Sequence, residues 1–238
     1  MKRITKILIL AITSTIAIAA NAETVSVNVF ANIDSNINTT IKQINSSFSN
    51  SGIYTNYNIK PFMQDHKVHL TMYLTEYDSN QLPMIESIVA DIAKSSKNVT
   101  FQDTGVSLKA SNFLMLDVAN NIYLQRLSDK IAAELMNYRD KNSQIPSWAK
   151  TDPLKSTMFN HYGSPNVFDG FDPHFSIFVA NISPNNQTKF ESEVDLQIGK
   201  LNFKPQSYQI KSIGVGITDK NGQITKILNV YDLQNQTK

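Results

Sequence analysis

The stretch Lys67-Val68-His69-Leu70-Thr71-Met72-Tyr73-Leu74 alternates apolar and polar side chains with a period of two, the spacing of a β-strand. Val68, Leu70, Met72 and Leu74 are expected on one face, and His69, Thr71 and Tyr73 on the other. An imidazole then sits beside a hydroxyl. A second stretch, His174-Phe175-Ser176-Ile177-Phe178-Val179, repeats the arrangement, with Phe175, Ile177 and Val179 one way and His174 and Ser176 the other. The two histidines are 105 residues apart, and this twin imidazole–hydroxyl pattern is the main functional signal in the chain.

The surrounding elements follow from periodicity and punctuation. Residues 24–33 alternate as a first strand. Asp34 is a candidate N-cap for a helix carrying Ile37, Ile41, Ile44 and Phe48, with Gly52 beyond its end. Residues 54–66 read as irregular, broken by Pro61. A second helix opens at Ser79, tolerates Pro83 in its first turns and turns Leu82, Ile85, Ile88, Val89 and Ile92 inward. Strands are expected over 99–110 and 112–119, with a bulge or bend at Gly105. A third helix over 121–141 points Ile122, Leu124, Leu127, Ile131 and Leu135 at the core and Arg126 and Arg139 at solvent.

Residues 143–173 lack periodicity but are rich in aromatic side chains, which suggests an ordered lid or groove wall. A fourth helix starts at Ser183 or Asn185 and ends near Leu201, with Phe190, Val194, Leu196 and Ile198 as its apolar stripe. A hairpin over 208–218 and 223–232 turns at Asp219-Lys220-Asn221-Gly222. Each histidine strand is thus followed by a helix and two strands. The fold class is α+β: two similar lobes facing each other across a cleft, with no close sequence repeat.

The 238 residues, 41% hydrophobic, can bury one good core. Lys2, Arg3 and Lys6, the apolar run Ile7–Ala19 and Ala20-Asn21-Ala22 read as a secretory signal peptide over 1–22. A single bilobal domain over 23–238 is expected outside the cytoplasm, in a bacterial periplasm or secreted. The chain has no Cys, hence neither a disulfide nor a Cys-linked lipid anchor. The full sequence has 22 Lys+Arg against 20 Asp+Glu, and cleavage leaves 19 against 20. A near-neutral mature protein is not a general nucleic-acid coat, so any phosphate binding is local. A monomer without a stable membrane anchor is expected.

His69-Leu70-Thr71-Met72 and Pro173-His174-Phe175-Ser176-Ile177 resemble the motifs of the two-histidine (2H) phosphoesterase superfamily, which includes 2′-5′ RNA ligase-like and cyclic phosphodiesterase proteins. Ser176 stands where Thr is commoner. The resemblance implies a bilobal fold with antiparallel sheets lining a central groove, helices outside, and phosphodiester chemistry without metal or cofactor. Cleaving a phosphodiester needs a base for the attacking oxygen and an acid for the departing alkoxide, and imidazole serves as either near neutral pH. Thr71 and Ser176 hydroxyls can donate to the non-bridging oxygens. The resemblance implies as substrate a 2′,3′-cyclic nucleotide, an oligonucleotide end or a related small phosphodiester.

Other readings stand beside this one. The same fold could hold a nucleotide or RNA without turning it over. Tyr73, Trp148, Phe168 and Phe171 could stack on a base or simply pack. Lys67, Lys155 and Lys211 could supply charge for phosphate. His66-x-x-His69 with Asp65, His161 or His174 could be read as metal ligands, although strand residues three apart point to opposite faces. Ser147-x-x-Lys150 lacks the partner motifs of an acylating enzyme, and Gly214-x-Gly216 fits strand packing better than a dinucleotide loop.

Overall fold

The computed structural model describes residues 23–33 and 35–235, so the expected signal peptide and the Asp34 cap lie outside the described residues. Among those residues are seven strands: β1 (Thr24–Ile33), β2 (Leu70–Asp78), β3 (Val99–Leu108), β4 (Phe113–Val118), β5 (His174–Val179), β6 (Ser207–Thr218) and β7 (Ile224–Asp232). The α-helices are α1 (Asn36–Asn50), α2 (Ile53–Asn56), α3 (Leu82–Lys94), α4 (Ile122–Leu135), α5 (Pro153–Tyr162) and α6 (Gln187–Lys200).

All strand pairs are antiparallel, in the order β2-β1-β6-β3-β4-β5, with β7 also on β6. β3 joins the two lobes. Residues 99–102 pair with β6, residues 103–108 pair with β4, and the register breaks between Asp103 and Gly105, at the expected bulge. β2 and β5 are the two ends of the strand order, yet they lie against each other. The sheet therefore curls until its two histidine-bearing ends meet.

Two glycines make the β6 region possible. A Cβ on Gly214 would lie 2.4 Å from the Phe30 ring, and one on Gly216 would lie 2.9 Å from Ile224. Gly214-x-Gly216 therefore serves close strand and side-chain approach. At the β6–β7 turn Gly222 has φ +75°, and Asp219 Oδ1 accepts from the Asn221 and Gln223 amides.

The expected core faces hold in most places. Ile37, Ile41, Ile44 and Phe48 of α1, Ile85, Val89 and Ile92 of α3, and Leu124, Leu127, Ile131 and Leu135 of α4 are buried. Three assignments are corrected. Ile122 is exposed because it opens α4 just after the Asn121 cap, and Leu196 of α6 is exposed because Phe190, Val194 and Gln197 take the buried stripe. Arg139 is half-buried rather than solvated; it packs over Gly163 and donates to the Met136 carbonyl.

The aperiodic segment contains a helix, α5. Its signals are caps rather than an apolar stripe. Asp152 accepts from the Leu154 and Lys155 amides, Pro153 occupies the first turn, and Gly163 ends the helix at φ +75°.

Candidate active site

His69 lies immediately before β2, which begins at Leu70 rather than at Lys67 as expected, and His174 opens β5; each of these strands carries a bulge three residues after its histidine. In β2, Phe30 pairs with Thr71 and Val29 with Tyr73, so Met72 has no partner. In β5, Met115 pairs with Ser176 and Leu114 with Phe178, so Ile177 has none. The extra residue reverses the facing of everything after it. Buried positions run Leu70, Met72 and then Tyr73, Thr75, Tyr77 in one strand; they run Phe175, Ile177 and then Phe178, Ala180 in the other. Ser128 of α4, itself buried, donates to the Met72 carbonyl and pins the first bulge.

The bulges confine the shared imidazole–hydroxyl face to two positions per strand. They also correct the strict alternation read from the sequence. Leu74 and Val179 leave the buried face and are only partly covered. Tyr73 leaves the His69 face; it is 1% exposed, and its hydroxyl donates to the Tyr162 carbonyl at 2.5 Å. With Thr75, which donates to the Gly163 carbonyl, it anchors the end of α5 and does not stack on a ligand.

The two imidazoles are held alike. His69 Nδ1 lies 2.9 Å from the Lys67 carbonyl, and His174 Nδ1 lies 2.7 Å from the Asp172 carbonyl, each two residues upstream. A carbonyl only accepts, so each Nδ1 carries a proton and each Nε2 is left as the nitrogen that exchanges one. His69 is 7% exposed and stands edge-on to Phe30, with ring centroids 6.1 Å apart. Burial pushes its pKa down to about 4, helped by the nearby charges of His174 and His66 and opposed by the Lys67 and Gly222 carbonyls.

His174 is half-buried and faces Asp117 across the β4–β5 ladder. Burial lowers its pKa as well, but the Asp172 carbonyl and the Asp172 and Asp117 carboxylates favour its protonated form. Lys109, paired with Asp117 at 2.9 Å, acts the other way.

The hydroxyls complete the site. Thr71 Oγ1 accepts from Asn28 Nδ2 at 2.8 Å, which leaves the Thr71 proton free to donate. The same Nδ2 faces the Gly222 carbonyl at 3.5 Å, an acceptor, which fixes which end of the amide points this way. Ser176 and His69 line one small pocket with Phe62, Met63, His66, Lys67, Val68, Phe175 and Gln223. One residue of each motif, His69 and Ser176, thus lines this cavity, and Thr71 and His174 are not among its lining residues. His66 sits at its edge, with Nδ1 3.2 Å from the Ile224 carbonyl and Nε2 3.9 Å from Asp219.

The aromatic candidates fall elsewhere, and none of them lines this pocket. Trp148 is 43% exposed, Phe168 packs on Tyr162 at 4.4 Å between centroids, and Phe171 is core. Lys155 donates to Asn166 and to the Gly170 carbonyl, bracing the segment before His174. His161 is exposed on α5. Among the described residues no group of three or more His, Cys, Asp or Glu side chains is placed to hold a metal ion. Sequence reasoning missed Asn28, Gln223, Lys109 and Asp117. Asn28 alone left a trace, as a polar residue at the centre of an apolar strand.

The fold is similar to that of E. coli LigT. E. coli LigT complexed with 3′-AMP matches with a TM-score of 0.52 at 13% identity, over 89% of this chain and 99% of LigT. E. coli LigT complexed with phosphate matches with a TM-score of 0.51 at 11% identity, over 90% and 99%. Kluyveromyces marxianus Usb1 with uridine monophosphate gives 0.44 at 10% identity, over 87% and 98%. No family model matches the sequence, and no curated protein is a significant match to it.

Proposed function

We propose that this protein is a phosphodiesterase that cleaves a 2′,3′-cyclic nucleotide, an oligonucleotide end or a related small phosphodiester by two-histidine acid–base catalysis without metal. The observation that carries this reading is the matched pair of imidazoles, each tethered through Nδ1 to the carbonyl two residues upstream. The LigT complexes with 3′-AMP and phosphate support a nucleotide phosphoester as ligand. The signal-peptide pattern of residues 1–22 supports a reaction outside the cytoplasm.

His69, whose burial disfavours the protonated form, is neutral and serves as base; His174, flanked by Asp172 and Asp117, serves as acid. His69 Nε2 takes a proton from the attacking water, the oxygen bonds to phosphorus, and the bond to the leaving oxygen breaks. His174 Nε2–H delivers its proton to that oxygen. Thr71 and Ser176 hydroxyls donate to the non-bridging oxygens as charge gathers there. The substrate's own negative charge raises both imidazole pKa values on binding.

A base with a pKa near 4 is weak at neutral pH, which favours a second reading: a nucleotide-binding module of the same fold without turnover. Incubating the purified mature protein in EDTA with cyclic nucleotides and short 2′-5′ and 3′-5′ oligonucleotides separates the two. Turnover with a bell-shaped pH profile is expected for the enzyme. Calorimetric binding with no product after long incubation identifies the module.

A further inference from the structure

The pocket that holds His69 and Ser176 is small, about 10 Å³, room for one water-sized group. A single phosphate oxygen fits it, but a nucleoside does not. Directly beside it is an open cleft of about 270 Å³, near the low end of the roughly 300–1,000 Å³ typical of small-molecule sites. Met63, His66, Lys67 and Val68 line both cavities, so the two lie side by side along this segment. The far wall of the cleft is Asn32, Ile33 and Asn38 with Lys42, which stands exposed on α1.

Among the described residues that line this cleft, the charged side chains have one sign. Lys42 and Lys67 line it, and neither side chain joins any ion pair among the described residues, whereas Lys60, Lys94, Lys109 and Lys189 all do. Among the described residues no Asp or Glu lines either cavity. Asn38 lines the cleft with an amide of the kind that meets a nucleobase, beside Asn32, whose Nδ2 donates to Ser212 Oγ at 3.0 Å.

We propose that this cleft is a second-nucleotide subsite: it seats the nucleotide next to the scissile bond, and Lys42 meets that nucleotide's own phosphate. The preferred substrate is then the end of an oligonucleotide carrying at least two phosphates rather than a cyclic mononucleotide. This rests on the phosphodiesterase reading and deepens it.

The test compares a nucleoside 2′,3′-cyclic monophosphate with a trinucleotide ending in the same 2′,3′-cyclic phosphate, so that the bond cleaved is identical, for wild type and Lys42→Glu. In the wild type the trinucleotide should have a kcat/KM at least tenfold higher. Lys42→Glu should lose about tenfold or more on the trinucleotide, and its turnover of the cyclic monophosphate should stay within about twofold. Equal kcat/KM for the two substrates in the wild type overturns the subsite, as does an undiminished trinucleotide preference in Lys42→Glu. If neither substrate turns over, the catalytic reading fails, and equilibrium binding of the trinucleotide decides the subsite alone. Binding at least tenfold weaker in Lys42→Glu then supports it, and equal binding overturns it.

Discussion

Replacing Asn28 with Leu should lower activity without lowering stability. Asn28 is fully buried on β1, and its Nδ2 holds Thr71 Oγ1 at 2.8 Å. Its Oδ1 is buried with no hydrogen-bond partner. An orphan acceptor of this kind costs about 1–3 kcal/mol, and the bond to Thr71 returns about 1 kcal/mol. A leucine of the same branched shape removes both, so the net change, provided the slightly larger side chain is accommodated, should fall between roughly zero and about 2 kcal/mol of added stability. The hydroxyl it leaves behind is no longer oriented. Losing one oxyanion donor outright costs about 10²–10³ in kcat, so a misdirected donor should cost about tenfold or more.

Urea denaturation and steady-state kinetics on Asn28→Leu, Thr71→Val and the double variant test this. The double variant should be no slower than Thr71→Val alone, because Asn28 acts through Thr71. Full activity in Asn28→Leu, or additive losses in the double variant, would refute the positioning role.

Three further outcomes follow from the geometry. Gly214→Ala places a methyl 2.4 Å from the Phe30 ring that packs on His69, and urea denaturation should show a loss of about 1–3 kcal/mol; an unchanged midpoint would contradict this. The folded pKa of His69, about 4, lies below the roughly 6.5 of an unfolded chain, so stability is whole above pH 6.5 and falls by up to about 3 kcal/mol toward pH 4. His69→Gln should lose less stability than wild type between pH 7.5 and 4.5, and an identical acid loss would count against the buried neutral imidazole. Asp152→Ala removes the α5 cap and should cost about 1 kcal/mol by denaturation, with no change meaning that the cap contributes nothing.

The order of elements was legible because most of them bury one clean face. β1, the α1 stripe from Ile37 to Phe48 and the Asn221-Gly222 turn are periodicity and turn chemistry made visible. The two histidine–hydroxyl pairs were legible because a bulge acts only after them. Tyr73 was misplaced for the same reason: pairing with β1 inserts Met72, and single-strand alternation carries no record of a partner's register. α5 was hidden because only Met158 of its ten residues is buried, so its evidence lies in Asp152-Pro153 and Gly163. The aromatic residues around 148–171 suggested a groove, but they pack beneath α5 or face solvent away from the pocket. Asn28, Lys109 and Asp117 reach the site through strand neighbours distant in sequence, which no local pattern encodes.

The central claim is that His69 and His174 act as one unit on one phosphorus atom. The most direct measurement is kcat/KM for wild type, His69→Ala, His174→Ala and the double variant, on whichever phosphodiester the wild type turns over fastest in EDTA. Each single loss should be about 10²–10⁴-fold, and the double loss should scarcely exceed the larger single one. Turnover by the double variant equal to wild type would contradict the account.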